Sequence, residues 1–115
     1  MNLITTITND PSQTMTITLD DGSTLDFTLR YVSGLKGWYY SFTWGNFSVL
    51  NRRLVASPNM LRLFKGFITF GLACYTKDNY EPIYIDDFSS GRAQFYTLNQ
   101  IDVDNYEQQL SNAKV

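Results

Sequence analysis

Alternation of apolar and polar residues with a period of two constrains this chain more than any other feature. Residues 14–19 alternate threonine with methionine, isoleucine or leucine, and residues 25–31 alternate Leu, Phe, Leu and Tyr with polar residues. The turn-forming sequence Asp20-Asp21-Gly22-Ser23 lies between these two runs. Because successive side chains of a strand point to opposite faces, each run has one buried and one exposed face. The pattern therefore predicts an antiparallel hairpin.

Further strand-like segments follow along the chain, separated by turn signals. The predicted strands are approximately 14–19, 24–32, 37–44, a segment that begins at Phe47, 66–75, 83–85 and 92–98. Residues 51–65 carry both helical and strand signals, and we expect a short turn or loop there. Residues 3–7 form either a short first strand or an arm that reaches a neighbour. Residues 104–110 form one or two helical turns or an unstructured tail.

These elements predict an all-β fold, a small antiparallel barrel or sandwich of about six to eight strands. The prediction leaves room for a short helical turn and a polar C-terminal tail. A length of 115 residues suits one domain over 1–115. Its core would span about 12–100, with an N-terminal arm at 1–11 and a tail at 102–115.

The sequence lacks the residues that common catalytic and metal sites require. It contains no histidine and only one cysteine, Cys74, so hydrolytic triads and zinc sites have no ligands or bases. The paired acids Asp20–Asp21 and Asp86–Asp87 adjoin glycines, where Asp is common for conformational reasons. The segment 34–37, Gly-Leu-Lys-Gly, lacks P-loop spacing. We therefore expect no enzyme activity, no cofactor and no metal.

The sequence also predicts where such a chain is made. Its first residues carry neither a basic region nor a long apolar run, so we expect no signal peptide. The apolar run at 66–75 contains glycine and is far shorter than the roughly twenty residues of a membrane-spanning helix. A lone cysteine fits a reducing compartment. We expect a soluble protein, made in the cytoplasm and not associated with a membrane.

Charge is distributed in blocks along the chain, although the net charge is only −2. Residues 1–26 carry −4, residues 27–77 carry +7 and residues 78–115 carry −5. Such blocks either give the molecule opposed faces for ordered association, or neutralise one another when the strands pair. Arginine and aromatic residues are frequent interface anchors. The candidate protein-interaction residues are Lys36, Tyr39, Arg52, Arg53, Arg62 and Lys65.

A second hypothesis is a small OB-like barrel that binds single-stranded nucleic acid. Bases would stack on aromatic side chains while Arg30, Arg52 and Arg53 follow the phosphate backbone. The stacking rings would be Tyr31, Trp38, Tyr40, Trp44 and Phe47. A sequence pI of about 4.8 argues against this hypothesis, because a dedicated nucleic-acid binder is expected to be basic.

Four segments together resemble one protein family. The resemblance covers roughly residues 12–100 and lies in Ser12–Tyr31, Gly37–Trp44, Asn46–Phe64 and Asp86–Leu98. The last of these, DDFSSGRAQFYTL, is similar to a closing strand with an Asp-x-x-x-x-Gly-Arg pattern. The chain resembles the small baseplate plug proteins of contractile-tailed bacteriophages, of the type found in a cyanophage baseplate. It departs from their pattern around 51–60, where Arg52, Arg53 and Pro58 stand in place of glycine.

The resemblance implies a virion structural protein near the central hub of the tail baseplate, which plugs or bridges the axial channel. Its partners would be other baseplate hub, spike and tube proteins, contacted by several symmetry-related copies after synthesis in the bacterial host cytoplasm. A generic adaptor or assembly chaperone of the same size is a further alternative, which would be absent from mature particles.

Overall fold

A computed structural model of the protein describes residues 1–113. Within these residues, seven strands and one α-helix form the regular structure. In chain order they are β1 (Asn2–Leu3), β2 (Ser12–Thr18), β3 (Thr24–Val32), β4 (Gly37–Trp44), β5 (Phe47–Arg53), β6 (Gly71–Thr76), β7 (Ala93–Leu98) and α1 (Gln100–Ala113). Two short 3₁₀ turns, Ser33–Leu35 and Arg62–Phe64, lie in the connections.

The strands form two antiparallel sheets that pack face to face. The larger sheet has the order β2-β3-β4-β5, so each strand pairs with its neighbour in sequence, and the smaller has the order β1-β7-β6. The described strands do not close into a barrel. Of the two predicted architectures, the protein therefore adopts the sandwich, and the all-β fold class is confirmed.

The predicted alternation confines the core to one face of the larger sheet. Leu25, Phe27 and Leu29 of β3 are fully buried, and the residues between them face outward. Phe27 bridges the sheets, because its ring centroid lies 6.1 Å from that of Tyr40 in β4 and 5.3 Å from that of Phe95 in β7. The inward aromatic side chains of neighbouring strands thus join both sheets into one core.

The helix α1 covers the outer face of the smaller sheet and so adds a third layer. Val103 of α1, Ala73 of β6 and Leu98 of β7 form a second small buried cluster, with Tyr96 packed against it. At the start of the helix, the backbone N–H of Asp102 donates to Asn99 Oδ1 (2.8 Å) and that of Asn99 donates to Asp102 Oδ2 (3.2 Å). This reciprocal arrangement satisfies backbone donors that the first turn leaves free.

Two of the predicted strands differ from the structure. The strand predicted at 66–75 begins only at Gly71, because residues 65–67 continue the turn that follows Arg62–Phe64. The segment 83–85 is not a strand but part of the long connection between β6 and β7. There the carbonyl oxygens of Ile83 and Tyr84 accept hydrogen bonds from Tyr31 and Trp38 side chains instead of pairing with a strand.

The segment 51–65, predicted as a turn or loop, is part strand and part loop. Its first three residues belong to β5, which reaches Arg53 with the help of an irregularity in its pairing with β4. Asn51 has a left-handed φ of 52° there, a conformation that asparagine tolerates better than most residues. The remaining residues form a loop along the edge of β6, where Ser57 pairs with Cys74.

The two ends of the chain are more ordered than the predicted arm and tail. The first strand is β1, shorter than the predicted 3–7, and Ile7 is buried in the core of its own chain. Of the two alternatives at 104–110, helical turns or an unstructured tail, the helical one is confirmed, in the form of the 14-residue helix α1 up to Ala113. Lys114 and Val115, the last residues of that predicted tail, lie outside the described residues.

We expect replacement of Gly71 by alanine to destabilise the fold by about 1–3 kcal/mol. An alanine Cβ would lie 2.7 Å from the Oδ1 atom of Asn59. That side chain is buried, and it accepts hydrogen bonds from the backbone N–H groups of Leu61 (3.0 Å) and Leu72 (3.4 Å). Urea unfolding, followed by tryptophan fluorescence, measures the change.

Gly66→Ala is the matched control, because nothing lies within 4 Å of the added Cβ at that exposed position. Its free energy of unfolding should be unchanged or slightly raised. Equal stability of the two variants would contradict the packing role of Gly71.

Candidate interaction surfaces

Exposed aromatic and apolar side chains form a patch beside the start of β5. We define the phenylalanine patch as Phe47, Leu63, Phe64 and Phe67. The ring of Phe47 lies 5.6 Å from that of Phe64 and 6.4 Å from that of Phe67, measured between centroids. Phe67 is 74% exposed and Leu63 73% exposed. Contiguous apolar surface of this kind is typical of protein-binding sites.

Positive charge surrounds the phenylalanine patch. The guanidinium carbon of Arg52 lies 5.3 Å from the ring centre of Phe64, in a cation–π arrangement. Arg62 and Lys65 both donate to the carboxylate of Glu107 on α1, with 2.7 Å between Arg62 Nε and Glu107 Oε2. The hydrogen bond and charge of Glu107 raise the pKa of Arg62. Three cations and one carboxylate leave the surroundings of the patch positive.

The other three predicted interaction residues lie together at a different place. Arg53 donates to the carbonyl oxygens of Leu35 (3.3 Å) and Lys36 (3.1 Å), and its guanidinium lies 5.7 Å from the ring centre of Tyr39. A Cβ on Gly37 would come within 2.6 Å of this guanidinium, so a larger residue there would displace the Arg53 side chain. Arg53 therefore holds the turn before β4 in place, in addition to any role at a surface.

The six predicted interaction residues thus form two groups rather than one site. Arg52, Arg62 and Lys65 surround the phenylalanine patch. Lys36, Tyr39 and Arg53 lie at the start of β4, where Tyr39 pairs with Arg53 on one side and with Arg30 on the other. These three face the solvent side of the larger sheet.

A second surface was not predicted from the sequence. The connection between β6 and β7, residues 77–92, exposes two tyrosines, and we call it the tyrosine loop. Tyr80 is 73% exposed and Tyr84 is 58% exposed, with the partly exposed Ile85 beside them. Tyr80 and Tyr84 within a hydrophilic stretch of sequence could have indicated this surface, since tyrosine rings anchor interfaces at low entropic cost.

A charged network holds the backbone of the tyrosine loop. Arg92 donates to both carboxylate oxygens of Asp78 (3.0 Å each) and to Asp87 Oδ2 (2.9 Å). Asp87 is only 1% exposed and also accepts a hydrogen bond from the backbone N–H of Tyr84 (2.9 Å). The backbone N–H of Tyr80, together with Arg92, lowers the pKa of Asp78. Partial burial lowers the pKa of the Arg92 guanidinium, but the hydrogen bonds and charges of Asp78 and Asp87 outweigh this effect, so the pKa is raised overall.

The tyrosine loop is acidic and lies far from the phenylalanine patch. It contains four carboxylates against Lys77 and Arg92, a net charge of −2. Its backbone is fixed to the first part of β4, because Trp38 Nε1 donates to the carbonyl of Tyr84 (3.1 Å). Phe47 of the patch pairs with Trp44 at the other end of β4, while Arg52, which lies over Phe64, pairs with Tyr40. Trp38 and Trp44 are roughly 20 Å apart along the strand, so Phe47 is well separated from the loop.

In the described part of the chain, the remaining candidate residues do not come together as a chemical site. Burial raises the pKa of the Cys74 thiol to about 12, so it stays protonated and unreactive at neutral pH. Among residues 1–113, no group of three or more Cys, Asp or Glu side chains is arranged to hold a metal ion. A surface cleft of about 330 Å³ beside α1 includes Asp20, whose carboxylate is already bonded to Asn2 and Asn99.

The structure also bears on the hypothesis that the protein binds single-stranded nucleic acid. Trp38 and Tyr40, proposed as stacking platforms for nucleic-acid bases, are buried in the core and present no free face. The helix in the described part of the chain is neither long nor apolar enough to span a membrane.

We expect Asp87→Ala to lower the free energy of unfolding by about 2 kcal/mol, because the substitution leaves the Tyr84 N–H and part of Arg92 without an acceptor. Asp86→Ala is the control, since that neighbouring side chain is exposed and the change should stay within about 0.5 kcal/mol. Urea unfolding measures both variants. Equal effects would show that the network does not stabilise the tyrosine loop.

The attachment of α1 should depend on pH through Glu107. Hydrogen bonds from Arg62 and Lys65 lower the pKa of this carboxyl below its ordinary value of 4.5. The contribution of the ionised Glu107 to the stability of α1 is therefore fully present above pH 4.5 and is lost as the pH falls through the lower pKa of the folded state. Hydrogen-exchange protection factors for residues 100–113, corrected for intrinsic rates, should be constant from neutral pH to about 5 and fall below that.

Glu107→Gln should reduce the protection of α1 at neutral pH and make its decline in acid smaller; the decline that remains comes from Asp102, whose carboxyl pairs with the N-terminus and also has a lowered pKa. Asp104→Asn is the matched control, because Asp104 contacts only Gln100 on the same helix among the described residues. If the wild-type and Glu107→Gln proteins show the same pH profile, the pairing does not hold the helix.

Comparison with known protein families gives a match. The family model described as "Cyanophage baseplate Pam3 plug gp18" matches residues 1–100, most of the chain. A search of curated proteins finds no significant match. The family match includes both the phenylalanine patch and the tyrosine loop, whereas α1 lies almost entirely beyond it. The resemblance predicted from the sequence is confirmed, and the chain belongs to the family of cyanophage baseplate plug proteins.

Proposed function

We propose that the protein is a structural component of a phage tail baseplate that plugs or bridges the central hub through protein–protein contacts. Membership of the baseplate plug family implies a place in the tail baseplate of the virion and interaction with other baseplate proteins. The finer role at the hub is supported by one observation above all, the exposed phenylalanine patch with its surrounding cations.

The phenylalanine patch has the composition of an interface centre. Phenyl rings and arginine are enriched in the core of protein interfaces, and lysine and glutamate are more frequent at the rim. Here Phe64 lies under Arg52, while Lys65 and Glu107 lie beside it. A partner that covers Phe67 and Leu63 would remove from water two of the most exposed apolar side chains of the protein.

We assign a supporting role to the six predicted interaction residues. Arg52, Arg62 and Lys65 would set the orientation of a partner on the phenylalanine patch. Lys36, Tyr39 and Arg53 would provide a second contact at the start of β4, which suits a bridging protein. The partners would be hub, spike and tube proteins of the baseplate, assembled in the host cytoplasm around several copies of this chain.

A plug of this kind requires shape and surface rather than catalysis. The family is structural, which favours a non-enzymatic role. The buried, protonated Cys74 and the internally paired Arg92 are consistent with that role, because both are used in packing.

We expect the double variant Leu63→Ser/Phe67→Ser to be incorporated into phage particles at least about 10-fold less than the wild-type chain, since hot-spot losses of this size are typical of interface centres. Quantitative mass spectrometry of gradient-purified particles measures the copy number relative to hub proteins. Leu50→Ser is the matched control, because Leu50 is also 73% exposed but faces the opposite side of β5 from Phe47.

Normal incorporation of the double variant would contradict a role for the phenylalanine patch. A wild-type chain that is abundant in infected lysate but missing from purified particles would overturn the plug role itself and favour an assembly chaperone.

A further inference from the structure

We propose that the phenylalanine patch of one copy binds the tyrosine loop of a second copy, in a head-to-tail contact that can repeat from copy to copy. The inference deepens the proposed function, since it names a second copy of this chain as a partner of the patch. It rests on three observations: complementary chemistry, a preorganised loop, and the placement of the two surfaces.

The two surfaces are complementary in charge and alike in apolar character. The cations Arg52, Arg62 and Lys65 outnumber the single carboxylate of Glu107 around the patch. The tyrosine loop carries Asp78, Glu81, Asp86 and Asp87 against two cations. Each surface also presents exposed rings, so apolar burial and charge attraction would act in the same contact.

The backbone of the tyrosine loop is already ordered before any partner binds. Its backbone is fixed at several points, because Tyr31 Oη donates to the carbonyl of Ile83 (2.6 Å) and Thr76 Oγ1 to that of Tyr80 (2.8 Å). The side chains of Tyr80 and Tyr84 remain in solvent. A surface whose backbone is already ordered loses less conformational entropy on binding than a flexible one.

The placement of the surfaces favours a heterologous contact. The tyrosine loop is bonded to β4 at Trp38, whereas Phe47 of the phenylalanine patch pairs with Trp44 at the other end of that strand. When two complementary surfaces of a molecule do not overlap, a second copy can occupy one and leave its own equivalent surface free for a third. Such a contact gives a ring if the rotation closes.

Two variants test the contact in purified protein. Leu63→Ser/Phe67→Ser removes the patch, and Tyr80→Ser/Tyr84→Ser removes the rings of the loop; all four side chains are exposed, so both proteins should fold. Sedimentation equilibrium up to about 100 µM protein, a range that detects weak contacts, gives the mass. We expect wild-type assemblies larger than two copies, and association at least about 10-fold weaker in each variant alone.

An equimolar mixture of the two variants is the decisive sample. One intact patch and one intact loop remain in the mixture, so a head-to-tail contact gives a 1:1 complex that stops at two copies. Raising the salt concentration should weaken both this complex and the wild-type assembly, because Arg62, Lys65 and Asp78 are about half exposed and salt screens such charges. The Leu50→Ser control should associate like the wild type, and far-ultraviolet circular dichroism confirms that every variant is folded.

The remaining outcomes overturn the inference. A wild-type chain that stays monomeric, a wild-type mass that stops at two copies, or variants that keep the wild-type mass each exclude a repeating patch–loop contact. A mixture that stays monomeric excludes it as well. None of these results bears on incorporation into particles, so the inference can fail while the proposed function stands.

Discussion

Rings along the inner face of β4 pack against rings from the rest of the chain, and the positions of the other elements depend on this packing. Phe42 meets Phe47 of β5 and Phe70 of the loop before β6, while Trp38 meets Phe88 of the tyrosine loop. Aromatic pairs at these centroid distances of 5.7–6.2 Å contribute both buried area and directional attraction. Because β4 lies inside its sheet, its two ends carry both exposed surfaces on a rigid support.

The charged blocks of the sequence neutralise one another only in part in the folded chain. The basic middle block and the acidic C-terminal block do meet, since Glu107 of α1 pairs with Arg62 and Lys65. Arg92 is likewise used inside its own acidic segment, where it pairs with Asp78 and Asp87. Pairing is incomplete, however, and it leaves a positive patch and an acidic loop on separate parts of the surface. Neutralisation, one of the two alternatives that the sequence left open, therefore occurs in part, and opposed faces stay a prediction.

Sequence reasoning succeeded where a local pattern decides the structure. The β2–β3 and β4–β5 hairpins follow from alternation and from turns in which Gly22 and Gly45 adopt positive φ values of 86° and 57°. It failed where distant groups replace a local partner. Residues 83–85 looked like a strand, but side chains of Tyr31 and Trp38 take their carbonyl oxygens. The C-terminal segment is longer in helix than the one or two turns predicted, because Val103 packs on the smaller sheet and Glu107 pairs with Arg62 in the connection before β6.

Some features of the candidate site could likewise be predicted from the sequence, and others were set by the tertiary structure. The amino-acid sequence alone determined the all-β class, the absence of histidine chemistry, and Arg52, Arg62 and Lys65 as candidates, because composition and period-two alternation are local properties. The family followed from the resemblance of four segments to known plug proteins. Only the folded chain decided that those cations surround Phe47, Phe64 and Phe67, that Arg53 supports a turn, and that Tyr80 and Tyr84 are exposed on an acidic loop. These outcomes depend on contacts between residues far apart in sequence, whose partners no local pattern specifies.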